Sequence, residues 1–265
     1  MGGAGTAPRD GGLAARLAAA RDAARREPGA ASHRVALFQL LALAGEWDRA
    51  AQQLDVASSL DPGLAIFAAG HKALVGGEKL RAAIFAGVRT PVAMGEPPPW
   101  FGHLVQALAL DAQGEHAAAK ALRDEAFAMA VAVPGRIDGE PFAWLADADE
   151  RLGPVLELHL DGRYLWLPLE RVRRIETDPP EHLRDTVWLT ARLTLATEAT
   201  VTGFVPVRYP GSEAAGDDAL RLARRTEWRQ LGEGSWVGLG QRVLATDAGE
   251  HALLDTRLVE LGASL

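Results

Sequence analysis

The sequence predicts an α+β protein in two segregated parts: an N-terminal layer of α-α helical repeats, followed by a small antiparallel β barrel or bent sheet. Residues 1–133 contain 36 alanines against 14 in residues 134–265, whereas Val, Ile and Thr together rise from 12 to 21. Alanine favours helices, and β-branched residues favour strands. Just past this change, apolar residues alternate on both sides of Asp161-Gly162, which predicts a β-hairpin within residues 155–176.

These patterns divide the 265 residues into four predicted segments. Residues 1–12 are rich in glycine and poor in apolar side chains, so we expect a flexible N-terminus. Residues 13–133 form the helical domain. Residues 134–153 are a connecting segment with several Gly and Pro residues, and residues 154–265 form the β-rich domain.

The helical domain carries a repeat. Helical patterns ended by Gly or Pro predict helices at residues 13–26, 33–44, 47–59, 100–113 and 115–132. A spacing of 34 residues relates Gly11 to Gly45, Leu13 to Trp47, Ala23 to Ala57 and Pro28 to Pro62. This period is typical of tetratricopeptide (TPR) repeats, in which small residues let two antiparallel helices pack closely. The helical layer is therefore predicted to be TPR-like.

A partner-binding site is predicted on this layer. The first helix of a repeat pair usually lines the concave face of the array, where partners bind. In the best-preserved repeat this helix carries Val35, Gln39, Ala42 and Leu43, which combine apolar contact with one hydrogen-bonding group. We expect them to hold an amphipathic helix of a partner. The alternative is that a segment of this chain covers the same side chains.

The region after the hairpin contains further runs typical of short strands, at residues 187–195, 200–207, 226–231, 236–245 and 252–261. Short strands with frequent turns favour a small barrel or a strongly bent sheet. Four aromatic residues are expected in its core or at the domain interface, namely Tyr164, Trp166, Trp188 and Trp228. An alternative partner-binding surface, aromatic and basic, would consist of Arg163, Tyr164, Trp166, Arg208 and Tyr209.

Composition argues against several classes of partner. The net charge of −7 and the pI near 5.5 disfavour nucleic-acid and membrane partners, because both need a positively charged surface. The absence of cysteine excludes disulfides, thiolate metal sites and cysteine nucleophiles. No apolar stretch reaches the ~18 residues that suggest a membrane-spanning helix, and no signal pattern is present at the N-terminus. We therefore expect the protein in the cytoplasm.

Three carboxylates in the connecting segment, Asp147, Asp149 and Glu150, are the candidates for chemistry. They could ligate Mg²⁺ or Ca²⁺, or two of them could act as acid and base of a hydrolase. They could equally cap a helical turn or pair with Arg151. The seven histidines show no metal-ligand spacing, and no serine lies in a nucleophile-elbow motif. We expect no catalytic residue, no metal and no cofactor, with a hydrolase or metal-dependent enzyme as the alternative.

Several motifs along the chain occur in a combination that is hard to obtain by chance. They lie at residues 37–50, 144–157, 161–168, 183–188, 208–212, 226–228 and 238–242. Together they resemble the ImpE family, also called TagJ, an accessory component of bacterial type VI secretion systems. The resemblance implies a non-enzymatic adaptor that binds the small subunit of the contractile sheath. It also implies that the protein assists recycling of contracted sheath by the AAA+ ATPase ClpV, which is a further expected partner.

Overall fold

The structure, a computed structural model that describes residues 12–262, confirms the α+β class, with helices in the N-terminal half and antiparallel sheets in the C-terminal half. The helices of this range are α1 (Leu13–Arg26), α2 (Ala31–Leu43), α3 (Trp47–Leu60), α4 (Ala65–Phe85), α5 (Phe101–Ala112), α6 (His116–Met129) and α7 (Asp218–Arg221). Of the predicted flexible segment 1–12, only Gly12 lies within the described residues. The predicted segment boundaries near residues 133 and 153 stay predictions.

The α2–α3 pair forms as its local sequence dictates. Gly45 adopts a φ of 71°, a left-handed conformation that glycine accepts without steric cost, and so turns the chain between the helices. Ala50 and Ala57 are fully buried on α3, and their small side chains let α2 approach closely. After α3, the Asp61 side chain accepts a hydrogen bond of 2.9 Å from the Gly63 amide, and Pro62 begins a short 3₁₀ turn that leads into α4.

The β region contains thirteen strands within the described residues. They are β1 (Gly135–Ile137), β2 (Glu140–Phe142), β3 (Leu145–Asp147), β4 (Val155–Leu160), β5 (Arg163–Pro168), β6 (Val172–Thr177), β7 (Trp188–Leu195), β8 (Thr200–Pro206), β9 (Thr226–Gly232), β10 (Ser235–Gly240), β11 (Val243–Thr246), β12 (Glu250–Ala252) and β13 (Leu258–Leu261). The largest sheet has the order β2-β1-β13-β6-β7-β8-β4-β5. A second sheet has the order β12-β11-β3, and β9 and β10 form a two-stranded sheet.

Of the two predicted forms, a barrel or a bent sheet, the barrel is wrong, because the large sheet stays open: its edge strands β2 and β5 do not pair with each other. The physical reason lies in how each edge ends. Strand β2 is three residues long and contains Pro141, which cannot donate to a further strand. The edge of β5 is covered by residues 92–94, since the amide of Met94 and the carbonyl of Val92 each form a 2.9 Å hydrogen bond with the backbone of Trp166.

The predicted hairpin is present and joins β4 to β5. Asp161 and Gly162 have φ values of 50° and 74°, the two positive angles that a type I′ turn requires. Alternation along β4 places Glu157 and His159 on the face opposite Leu156 and Leu158, where two polar residues would be expected to meet solvent. Both are buried, because α4 packs against that face.

The helical layer and the β region share apolar packing. Trp188 at the start of β7 belongs to the same buried cluster as the inward side chains of α1 to α4. Its ring stacks parallel to Phe38 of α2, with 6.4 Å between ring centroids. At α4 the approach is closer still, since a methyl group added at Gly77 would overlap the His159 ring. The two parts are therefore held face to face along α2 and α4.

Candidate functional site

The most concentrated chemistry of the structure lies between α4 and the β region, in a group of charged side chains that we call the ionic network. Its members are Glu78, Arg81, Asp147, Glu157, His159 and Arg242, and all are buried. Helix α4 supplies the first two side chains, three residues apart on one helical face. Strand β3 supplies Asp147, and strand β4 supplies Glu157 and His159, two residues apart on one strand face. Arg242 lies between β10 and β11.

Glu157 is the centre of the network. Its carboxylate accepts hydrogen bonds from Arg81 Nε at 2.7 Å and from Arg81 Nη2 at 2.8 Å, a bidentate arrangement. It also accepts from Arg242 Nη2 and from the Tyr164 hydroxyl. Burial alone would raise the pKa of Glu157, but the two guanidinium groups outweigh it and hold the pKa well below its ordinary value. Glu157 is therefore a buried anion that joins α4 to the β region.

Glu78 forms the second branch of the network. Its Oε1 atom lies 3.3 Å from His159 Nε2 and accepts a 2.9 Å hydrogen bond from the Trp188 indole. Burial opposes ionisation here too, but the charge of Arg81, assisted by these partners, lowers the pKa of Glu78 to about 2. One carboxylate of α4 thus contacts strands β4 and β7 at once.

The carboxylates considered for hydrolysis or metal binding belong to the same region. Asp147 pairs with Arg242 and accepts a 3.0 Å hydrogen bond from the Tyr209 hydroxyl. Burial raises its pKa to about 6, against the opposing charge of Arg242 and with a further increase from the neighbouring Asp149. The side chain of Asp149 accepts hydrogen bonds from Arg151 at 2.6 and 2.9 Å and from the Gly238 amide at 2.9 Å.

The third of these carboxylates, Glu150, is half-buried, and burial raises its pKa. Across residues 12–262, no three His, Asp or Glu side chains come together in a way that could hold a metal ion. Arginine neutralises the charges of Asp147 and Asp149, so the arrangement fixes strands β3 and β10 in place. These contacts describe a connecting role for the two aspartates.

The four residues predicted to bind a partner on the helical layer lie on α2. Val35 and Gln39 are half-buried, and the Gln39 side-chain oxygen accepts a 3.2 Å hydrogen bond from the Arg184 amide. Ala42 and Leu43 are fully buried. The Arg184 segment of the β region thus contacts this face at Gln39, and Val35 and Gln39 keep part of their surface exposed whereas Ala42 and Leu43 do not.

Arg208 closes the C-terminal end of α2. Its guanidinium donates to the carbonyls of Leu43 at 2.8 Å and Ala42 at 3.2 Å in the last turn of the helix, and the Ala42 carbonyl also accepts a 3.2 Å hydrogen bond from the Gly45 amide. A third bond, of 2.8 Å, reaches the Arg221 carbonyl. Burial lowers the pKa of Arg208 to about 10, a value at which the guanidinium stays charged at neutral pH.

The alternative aromatic and basic residues do not share a surface. Tyr164, Trp166, Arg208 and Tyr209 are buried, and Arg163 is exposed. The Trp166 indole donates a 2.9 Å hydrogen bond to the Tyr164 hydroxyl, which in turn donates to Glu157. Trp188 is buried as well. Trp228 is half-buried, with its ring centroid 5.7 Å from that of Tyr209.

The structure also exposes a set of apolar side chains that the sequence analysis did not single out. Val56 and Leu60 lie on one face of α3, with 37% and 40% of their surface exposed, and Ile66 in the first turn of α4 is 89% exposed. We call these three residues the aliphatic strip. The sequence signal that could have found Ile66 is its place just after the Asp61-Pro62 stop, outside the apolar periodicity of α4.

The fold and the site define a class: an α+β scaffold in which a helical layer is fixed to open antiparallel sheets by buried ion pairs. Among residues 12–262, no helix combines the length and apolar character needed to cross a membrane. A family model described as "ImpE protein" matches residues 139–260. The chain is also 48% identical, over 241 residues, to the type VI secretion system accessory component TagJ of Pseudomonas aeruginosa, covering 91% of this chain and 84% of that protein.

The chain therefore belongs to the ImpE/TagJ family, which confirms the resemblance. A solved structure agrees on the fold. The crystal structure of protein VPA1032 from Vibrio parahaemolyticus superposes with a TM-score of 0.87 and covers 96% of this chain and 95% of that one. The sequence identity of the pair is 22%, so this likeness concerns the fold alone.

Proposed function

We propose that this protein is a non-enzymatic adaptor of a bacterial type VI secretion system and that it acts in the cytoplasm. The relative with 48% identity is named an accessory component of such a system. The ionic network supports an adaptor role, because the buried pair of Arg81 on α4 and Glu157 on β4 holds the helical layer to the β region in one fixed arrangement. A fixed arrangement suits a protein that presents a surface to partners.

The proposed partner is the small subunit of the contractile sheath, bound through an amphipathic helix. The observation that carries this step is the aliphatic strip, since exposed apolar side chains are what the apolar face of such a helix buries. An ion pair between Asp55 and Lys72, with 2.5 Å between the charged atoms, bridges α3 and α4 and supplies charge beside the strip. An apolar centre with charged neighbours is the usual anatomy of a protein interface.

A second candidate site keeps the predicted residues Val35 and Gln39. They lie four positions apart on α2, on the same helical face, and both are half-buried. The α2–α3 and α5–α6 pairs each turn at a glycine of positive φ, Gly45 and Gly114. These paired helices support a TPR-like layer whose concave face the β region covers in part. A helix bound there would contact the α2 face beside the covered Ala42 and Leu43.

Assistance to ClpV is the second half of the proposed function. It follows from the family resemblance, in which the adaptor links the small sheath subunit to ATP-driven recycling of contracted sheath. The expected effect is on the rate: ClpV should disassemble sheath faster when the adaptor is present. Purified sheath, ClpV and ATP, with and without this protein, measure that rate by light scattering. An unchanged rate would restrict the function to sheath binding.

A peptide titration tests the sheath partner and separates the two sites. The full chain is titrated with the labelled N-terminal segment of the small sheath subunit from the same organism, followed by fluorescence anisotropy. Ile66→Glu should weaken binding about tenfold or more, because it places a charge in the apolar contact. The matched control is Val88→Glu, which charges another exposed aliphatic side chain, 72% exposed, outside the strip.

The outcome decides between the sites. Loss of affinity in Ile66→Glu with normal affinity in Val88→Glu supports the aliphatic strip. Loss in Gln39→Arg alone, with the fold intact by circular dichroism, moves the contact to α2. Absence of binding by the wild-type chain would contradict the proposed sheath partner.

A further inference from the structure

We propose that strand β9 forms a reversible, antiparallel pair with β9 of a second copy of this chain, with Trp228 facing Trp228 across the axis of symmetry. The proposal does not depend on the function proposed above. It rests on three features of residues 226–232: the direction of their backbone groups, their accessibility, and the order of their charges.

The backbone direction follows from the partners of β10. The amides of Gly238 and Gly240 donate to Asp149 at 2.9 Å and to Ser212 at 2.7 Å, so both amides point away from β9. In an antiparallel pair, residues opposite such positions also direct their N–H and C=O groups away from the partner strand. Trp228 lies opposite Gly238 and Thr226 opposite Gly240. Because this direction alternates along a strand, the backbone N–H and C=O groups of Gln230, two residues after Trp228, also point away from β10.

The outer edge of β9 is accessible. Every residue of β9 is half-buried or exposed, and the two-stranded sheet has no further strand beside β9. Within residues 12–262, no hydrogen bond is formed by the outward amides of Trp228 and Gln230. An edge of this kind is a template for pairing with another chain.

Both edges of the large sheet are protected. In the large sheet, residues 92–94 cover β5, and the opposite edge strand β2 is short and contains Pro141. Strand β9, by contrast, is seven residues long and contains no proline. The outer edge of β9 therefore lacks the protection that both edges of the large sheet have.

The order of charges identifies the occupant as a second copy. In an antiparallel self-pair centred on Trp228, Glu227 of each copy lies opposite Arg229 of the other, because residues equidistant from the centre face each other. Both side chains are exposed and lie at positions where cross-strand neighbours come close. The strand is thus complementary to itself. Glu227 also contacts Arg225 at 2.6 Å, but this pair is exposed and so holds Glu227 weakly.

The size of the contact predicts a weak dimer. Two short strand edges bury well below the ~1,200 Å² of a stable interface, so association should be concentration-dependent. Sedimentation velocity of the full chain over a wide concentration range should show a monomer–dimer equilibrium. A monomer at every concentration would overturn the proposal.

Charge variants test the pairing. Arg229→Glu alone should weaken self-association about tenfold, because two facing pairs change from attraction to repulsion. Glu227→Arg alone should do the same, and an equimolar mixture of the two variants should restore association as a heterodimer. Failure of the mixture to associate better than either variant would overturn the charge pairing.

A backbone variant supplies a second test. Gln230→Pro removes an amide that points away from β10, so the hairpin should survive while the dimer is lost. Gln230→Ala, which keeps the amide, is the matched control. Equal dimerisation of Gln230→Pro and Gln230→Ala would overturn the proposal.

The register of the β9–β9 pair is tested by crosslinking through introduced cysteines, and no other thiol interferes because the chain contains no cysteine. Facing residues at these positions have Cα atoms about 4.5 Å apart, within reach of a disulfide. A mixture of Glu227→Cys and Arg229→Cys should form a crosslinked dimer under mild oxidation, and each variant alone should not. Equal crosslinking in all three samples would overturn the proposed register.

Discussion

Replacing Glu157 by glutamine should destabilise the protein strongly, because Glu157 neutralises two buried guanidinium groups. The substitution keeps the shape of the side chain but removes the charge that pairs with Arg81 and Arg242. Breaking a buried ion pair on one side costs about 3–5 kcal/mol, a large part of the roughly 5–15 kcal/mol that keeps a domain folded. At about 2–4 °C per kcal/mol for a chain of this size, the melting temperature should fall by roughly 6–20 °C.

The measurement is thermal and urea unfolding of wild type and variant at neutral pH. The matched control is Asp55→Asn, which breaks an ion pair of similar length whose side chains are 59% and 44% exposed. Exposed pairs contribute less than about 1 kcal/mol, so this variant should unfold close to wild type. If Glu157→Gln lost no more stability than Asp55→Asn, the ionic network would not be what holds α4 to the β region.

Three further predictions concern the same interface. The pKa of Glu78 is lowered from 4.5 to about 2 in the folded state, so the stability that its charge contributes is complete above pH 4.5 and is lost as the pH falls toward 2. Urea unfolding across this window should show that the free energy of unfolding changes less with pH in Glu78→Gln than in wild type. Gly77→Ala should destabilise by about 1–3 kcal/mol through its clash with His159, whereas Gly76→Ala, which meets no neighbour, should be neutral or stabilising in thermal unfolding. Trp166→Ala should cost about 3–5 kcal/mol because its side chain is fully buried, and calorimetry should also show unchanged partner affinity below the melting transition.

Much of the fold could be predicted from local sequence. The Asp161-Gly162 turn and the Gly45 turn both depend on φ values that few residues accept, so their residue types identify them. Helix α4 was not predicted, because Gly76 and Gly77 resemble a helix break. Gly77 is instead the position at which α4 approaches the ring of His159, a tertiary contact that a single sequence does not display.

Local sequence patterns could not predict whether the large sheet closes into a barrel, for a related reason. The order of the large sheet depends on pairing between β1 and β13, where Gly135 lies opposite Leu261. Such a contact joins residues far apart in the chain. Alternation of apolar side chains predicts each strand but does not show which other strand pairs with it. A barrel and an open sheet therefore share the same strand pattern.

The candidate site was predicted only in part. The acidic residues Asp147 and Asp149 were visible as a group, but Arg242, which pairs with Asp147, comes from a distant part of the chain. Likewise, Glu157 and His159 fit the pattern of a strand with one face in solvent, because the sequence around them does not show that side chains of α4 cover that face. Charges that meet only through tertiary packing carry no spacing signal.

The most direct test of the proposed adaptor role is hydrogen–deuterium exchange of this chain, alone and saturated with the N-terminal segment of the small sheath subunit. Slower exchange is predicted at residues 53–69, the end of α3 and the start of α4 that carry the aliphatic strip. Exchange of the loop around Val88 should not change. Protection confined to the sheets, or no protection at any residue, would contradict binding of the sheath subunit by the helical layer.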